Sequence, residues 1–176
     1  RLSLIGGIRY TWNKASGIFN DNILDFLSDG FEIKRHSLSG SLGTYFYPNE
    51  TTKIFLDLST GFRAPNIDDL GKVFIKDQFL TVPNSRLDPE YAYNFSFGIG
   101  KKIDFKNIQF SFSSSSFVTI LDNVITKKSL DINGSNFIYY DSNYYEILAN
   151  QNSESGIVYG LSGSLFITFF KNLKVH

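Results

Sequence analysis

Apolar and polar side chains alternate with a period of two along most of this chain, the spacing of β-strands with one greasy face. Leu2, Leu4, Gly6, Ile8, Tyr10 and Trp12 share one side of the first segment, opposed by Arg1, Ser3, Gly7 and Arg9, with Ile5 out of step. Leu38, Leu42 and Phe46 oppose Ser37, Ser39, Ser41 and Gly43 in the second segment. Ile54, Leu56, Leu58 and Phe62 oppose Lys53, Asp57, Ser59 and Arg63 in the third. The fourth is the cleanest, with Tyr91, Tyr93, Phe95, Phe97 and Ile99 against Ala92, Asn94, Ser96, Gly98 and Gly100. Ile108, Phe110, Phe112, Val118 and Ile120 then oppose Gln109, Ser111, Ser113, Ser115 and Thr119. In the sixth, Ile157, Tyr159, Leu161, Leu165, Ile167 and Phe169 oppose Gly160, Ser162, Ser164 and Thr168, and Leu173 opens a seventh.

The connections alternate too. Polar stretches over about 13–35, 64–88 and 126–152 are predicted as long loops, and tight turns are expected at 48–51, 104–107 and 171–172. Long loops at one end and short turns at the other are the rhythm of an antiparallel up-and-down meander in an outer membrane. The fold expected is therefore all-β, one partial barrel over residues 1–176, with about six strands and the start of a seventh. Because the chain opens in mid-pattern at Arg1, it reads as an internal piece of a larger transmembrane barrel.

Which face meets which medium follows from the residue types. The polar face is built from Ser, Gly, Asn and Thr rather than the Lys and Glu of a solvated strand, and Arg9, Lys53 and Asp57 all lie on it. A charge facing lipid at mid-membrane costs about 2–4 kcal/mol, so this segregation suits an apolar exterior around a polar lumen. The apolar face ends in Tyr10, Trp12, Phe62, Tyr91, Tyr93 and Tyr159 on the long-loop side and in Phe46 and Phe169 on the other, as interfacial girdles do. Aromatics make up 16% of the chain, yet no segment approaches the roughly 20 apolar residues of a membrane helix.

Formal charge balances at zero, 17 basic against 17 acidic residues, and no basic block invites nucleic acid. Without cysteine there is no disulfide and no thiolate metal site. No nucleophile elbow, P-loop or complete dinucleotide fingerprint occurs. Asp68-Asp69 reads as a turn cap, and Asp131-Ile132-Asn133-Gly134 falls short of a calcium loop because Ser142 stands where a glutamate is needed. His36 and His176 read as structural. An enzyme, a cofactor and a bound metal are therefore not expected.

One stretch is more specific. Leu58-Ser59-Thr60-Gly61-Phe62-Arg63-Ala64-Pro65-Asn66, followed by Asp68-Asp69-Leu70 and then by Leu87-Asp88-Pro89-Glu90 before the next strand, resembles a signature of TonB-dependent outer-membrane receptors. The run Gly61–Phe74 looks most like receptors of the Bacteroidetes group, and Ala149-Asn150 with Gly156-Ile157-Val158-Tyr159-Gly160 resembles the start of a downward strand in that family. The resemblance implies a roughly 22-stranded barrel closed by a plug that this segment lacks. It also implies a bacterial outer-membrane importer of a scarce nutrient, such as an iron chelate, cobalamin or a similar compound, driven by the TonB complex. Lipid and a small-molecule or metal-chelate ligand are the further partners implied.

Gly61, Phe62, Arg63, Ala64, Pro65, Asn66, Leu87, Pro89 and Glu90 are the family-motif residues, and two roles stay open for them: shaping a strand–loop junction, or touching ligand or plug. Gly61 would allow a close backbone approach, Arg63 would face the lumen, and Pro65 and Pro89 would sit where a ladder donor is not needed. Tyr139, Tyr140, Tyr144 and Tyr145 are candidate ligand contacts on the last long loop, with loop packing an equal account. Haem-specific relatives carry a histidine between the two motifs and an Asn-Pro-Asn-Leu box. Here that loop has no histidine and the box reads Asn84-Ser85-Arg86-Leu87, which argues against haem ligation by this segment. The competing readings are a passive porin or structural outer-membrane barrel, and a soluble β-sandwich binding module.

Overall fold

The computed structural model describes residues 1–18 and 30–169, together with the main chain of 173–175. In chain order the elements are β1 (Leu2–Ile18), β2 (Gly30–Asn49), β3 (Thr52–Arg63), α1 (Ile67–Gly71), β4 (Phe74–Lys76), β5 (Phe79–Val82), β6 (Glu90–Phe105), β7 (Ile108–Ser129), β8 (Phe137–Tyr140), β9 (Asn143–Phe169) and β10 (Leu173–Val175). All the strands belong to one sheet, in which the long ones follow the order β1-β2-β3-β6-β7-β9. Each of those ladders is antiparallel, and β10 begins another on β9. This is the expected meander.

The register carries the alternation across the whole sheet. One rung runs Gly6, Leu42, Leu58, Phe95, Val118 and Tyr159, and the next runs Gly7, Ser41, Ser59, Asn94, Thr119 and Val158. Every second rung is thus apolar, and none of the described residues covers that face: Ile8 is 85% exposed and Leu161 80%. The polar face is knit by short hydroxyl contacts, Ser113 to Ser164 at 2.7 Å and Ser115 to Ser162 at 2.8 Å, and by Thr119 donating to the Asn94 side-chain Oδ1 at 2.9 Å.

Phenylalanines on the polar face sit opposite glycines. Phe55 pairs with Gly98 and Phe117 with Gly160. A Cβ on Gly160 would lie 2.6 Å from the Phe117 ring, and one on Gly98 would overlap the Phe55 ring in the same way. Phe31 covers Gly17 by the same device. Only glycine leaves room for a ring lying flat across the neighbouring strand.

Two of the predicted long loops are largely strand. β1 and β2 stay paired from Asn13↔Arg35 to Ile18↔Gly30, so both ends of the expected loop over 13–35 are strand, and residues 19–29 lie outside the described residues. Likewise β7 and β9 stay paired up to Ser129↔Leu148, and β8 forms a hairpin with β9. These extensions carry Lys14–Glu32 and Lys128–Glu154 ion pairs, and the apolar residues Ala15, Phe31 and Ile33 stand on the face that is polar lower down, which breaks the alternation. A membrane strand needs only about 9–11 residues, against 20 in β2 and 27 in β9. The surplus projects beyond the apolar band at the loop end. At the other end, Glu50-Thr51 and Lys106-Asn107 make the expected tight turns, while 171–172 and His176 are outside the described residues.

Among the described residues, buried apolar side chains occur only at the loop end. Leu80, Val82, Ile147 and Ala149 form one cluster, where β5 adds to β9 in parallel. Ile33, Leu70 and Leu87 form the other, with Ala15, Phe31 and Ile125 against them. One ladder is interrupted. Upward from the tight turn, β2 and β3 pair as far as Ser41↔Ser59 and then part, although both strands continue. There the Gly40 N–H donates to the Thr60 hydroxyl at 2.8 Å instead of to a carbonyl.

Candidate functional site

The two signature stretches meet. β3 ends and β6 begins as a register pair, with Phe62 beside Tyr91 and Arg63 beside Glu90. The Phe62 and Tyr91 rings lie 6.3 Å apart, and Tyr91 stacks on Tyr93 at 6.2 Å. This aromatic tier closes the apolar band. One residue further, on the polar face and above the band, Arg63 donates from Nε to Glu90 at 2.6 Å and from Nη1 to Asp69 at 2.7 Å.

Local sequence explains why Asp69 is there. Asn66 caps α1: its side chain accepts from the Asp69 N–H at 2.8 Å, while the Asp69 carboxylate accepts from the Asn66 N–H at 3.0 Å. That is a reciprocal capping box. Pro65 is buried just before it, and Pro89 is buried just before β6 starts. Ala64 is half-buried between Arg63 and Pro65.

Glu90 ties a third strand, accepting from the Ile125 N–H of β7 at 2.6 Å. The Arg63 guanidinium, aided by that N–H, holds the Glu90 carboxyl below the usual carboxylate range against the opposing effect of burial. The Arg63 charge is reinforced in turn by Glu90 and Asp69.

The far end of the loop is pinned as firmly. Leu87 is buried, and its carbonyl accepts from Arg35 Nε at 2.9 Å, while Asp88 pairs with Arg35 at 3.0 Å. Asp88 and Asn152 exchange two hydrogen bonds, at 2.8 and 2.9 Å. Asn84 donates to the Asn150 carbonyl at 2.7 Å, and Asn150 donates to the Asp69 carbonyl at 3.1 Å. Loop 64–88 is therefore clasped to β2, β3, β7 and β9.

The signature residues form a clasp, and this favours the junction role for them as a group. One expectation fails. A Cβ on Gly61 would meet nothing within 4 Å, so no close backbone approach within this segment requires glycine there. Gly61→Ala is accordingly expected to change stability by no more than about 1 kcal/mol, read as the thermal midpoint of the complete protein in detergent. Asp69, Arg35, Asn152 and the Ile125 N–H belong to the clasp and were not singled out as site residues. The Asn-x-x-Asp spacing of Asn66 and Asp69 was a readable signal for the first; the others are joined only by the tertiary fold.

Glu90→Ala removes the acceptor of two hydrogen bonds. It is expected to cost about 1–3 kcal/mol locally, with faster amide exchange at Ile125 and across 64–70. The half-exposed Arg63 limits the share owed to the ion pair alone. The pH dependence has a definite sign. A carboxylate with a depressed folded pKa contributes fully above its unfolded value, about 4.3, and loses that contribution as pH falls through the lower folded one. Protection at Ile125 is expected to be flat down to pH 5 and to fall below pH 4.

The four tyrosines divide. Asp141 and Ser142, both at positive φ, turn the β8–β9 hairpin. Tyr140 and Tyr145 pack against the Leu80 cluster. Tyr139 and Tyr144 face one another across the hairpin at 4.9 Å and stand exposed. Only the second pair is free to meet a ligand. His36 stacks on Tyr10, in hydrogen-bond contact with its hydroxyl, at the girdle end of β1 and β2. Asp131 accepts from the Gly134 N–H at 2.7 Å and closes its own turn. Among the described residues no cluster of three His, Asp or Glu is placed to hold a metal.

The fold matches solved outer-membrane receptors. The haemophore receptor HasR of Serratia marcescens, solved with its hemophore HasA and heme, superposes with a TM-score of 0.66 over 94% of this chain and 29% of HasR, at 17% identity. The siderophore receptor PirA of Acinetobacter baumannii gives 0.56 over 78% of this chain and 22% of its own, at 18% identity. A mutant of the ferric enterobactin receptor PfeA of Pseudomonas aeruginosa, with enterobactin bound, gives 0.58 over 78% and 21%, also at 18% identity. At such identities the likeness is one of fold, and the chain spans less than a third of each receptor. No protein of curated function matches the sequence. The family model described as TonB dependent receptor-like, beta-barrel matches residues 1–171, and the chain belongs to that family as a segment of an outer-membrane barrel.

Proposed function

We propose that this segment is part of a receptor that binds a scarce nutrient, an iron chelate, cobalamin or a similar compound, and imports it with energy from the TonB complex. The signature run Gly61–Phe74 suggests a Bacteroidetes host. The observation that carries the reading is the clasped loop 64–88, held by Arg63, Asp69 and Glu90 on the polar side of a wall whose other side is mainly apolar. Such a loop gives the lumen a fixed rim against which a ligand can be oriented. Tyr139 and Tyr144 are the aromatic contacts proposed above that rim. Binding and gated translocation are the whole activity, with no covalent step, and TonB is met through a plug-bearing region of the complete receptor.

Growth on ferric chelates or cobalamin as sole source, in strains lacking this receptor or lacking TonB, tests the reading. Loss of growth on one such nutrient in both strains is the expected result. Uptake that persists without TonB would return the protein to the passive porins.

A further inference from the structure

We propose that the apolar face holds one acyl chain of an outer-membrane lipid in a groove between β1, β2 and β3. The argument rests on the barrel family and the wall's geometry, not on what the receptor imports. Where β2 and β3 part above Ser41↔Ser59, the wall is thin. A cavity of about 810 Å³ opens there on the apolar face, with Ile8, Leu42, Leu58 and Tyr93 as walls and Gly6 and Gly40 lowering the surface between them. A second depression of about 320 Å³, lined by Arg9, Ser39 and Ser59, backs onto it from the polar face.

The chemistry of the groove selects the occupant. The Gly40 N–H and the Thr60 hydroxyl satisfy one another, so at this point the parted ladder turns no free donor toward a guest. The side chains of Ile8, Leu42, Leu58 and Tyr93 are aliphatic or aromatic and dominate the lining, which Ser41, Ser59, Thr60 and Asn94 complete. On β1 the groove falls at Gly6 and Ile8, midway between Leu2 and Trp12, the ends of the apolar stretch. That is the depth of acyl chains and not of headgroups. A void facing hydrocarbon forfeits dispersion contacts along its lining, and a flexible chain restores them. A second barrel is convex and cannot reach a floor recessed between standing side chains.

The test uses the complete receptor, stripped in detergent, titrated with a phosphatidylethanolamine bearing sixteen-carbon chains and read by native mass spectrometry. Gly6→Leu fills the groove. Its Cβ would meet Ser41 O at 3.5 Å and Leu42 Cδ1 at 3.6 Å, ordinary contacts that the strand tolerates. Gly163→Leu is the match, on the same face but away from the groove, with Ser113 O at 3.9 Å from the new Cβ. One tightly retained lipid is expected in the parent and in Gly163→Leu, with retention weakened about tenfold in Gly6→Leu. Equal retention by all three overturns the proposal, as does a receptor dimer that Gly6→Leu abolishes. If Gly6→Leu does not assemble, Leu58→Ala removes a wall instead; lower retention than in Leu165→Ala supports the groove, and equal retention overturns it.

Discussion

Arginine in place of Phe97 is expected to destabilise the assembled barrel by about 2–4 kcal/mol, because it puts a charge in hydrocarbon near the middle of the wall. Phe97 pairs with Leu56 and Ser116, close to the centre of β6, and its side chain stands on the uncovered apolar face. The neighbouring Ser96→Arg is the control. Ser96 points to the polar face and pairs with Asp57, which can accept the new guanidinium. Folding titrations of the complete receptor into lipid, read by heat-modifiable migration, compare the two. A cost for Ser96→Arg equal to that for Phe97→Arg would falsify the assignment of the apolar side to lipid.

Leu70→Ala is expected to have an effect of similar size and a different address. Leu70 is fully buried, packed with Ile33 and Leu87 beneath the clasp. Emptying such a site costs about 2–5 kcal/mol, depending on how far the surroundings collapse. Only the extensions of the ladders above the apolar band reach this cluster, at Ile33 of β2 and Ile125 of β7. The loss is therefore expected as local opening of 64–88, seen by hydrogen exchange and protease cleavage there, with protection of the ladder β6–β7 below Tyr91 unchanged. Global unfolding at the same substitution would show that the clasp is part of the wall's own stability.

Much of this was readable beforehand, for a physical reason. Where one face meets lipid and the other a polar interior, each residue's side is dictated, so Tyr91 to Ile99 announced both the strand and its orientation. Above the membrane that pressure ends. Asn13 to Ile18 and residues 30–35 are still hydrogen-bonded strand, but their apolar residues Ala15, Phe31 and Ile33 change to the opposite face, so they looked like loop. The parallel addition of β5 to β9 was hidden for another reason: it joins residues more than sixty positions apart and has no local signature. The site was legible in half. Arg63 and Glu90 could be picked out from the family-like stretches, whereas Arg35, Asn152 and the Ile125 amide enter only because the fold brings their strands to the same rim.

The rings of Phe55 and Phe117, each seated on a glycine across the ladder, have a consequence for how the wall is put together. If β9 slid by two positions along β7, the Phe117 ring would land on Val158 or Ser162 rather than Gly160, and either Cβ would collide with it. Between β3 and β6 the same slide in one direction meets Gly100, which would admit Phe55. The first pairing is thus keyed in both directions and the second in only one. Threading errors during insertion are accordingly expected to concentrate at the β3–β6 seam, displaced by two residues toward the periplasmic turn.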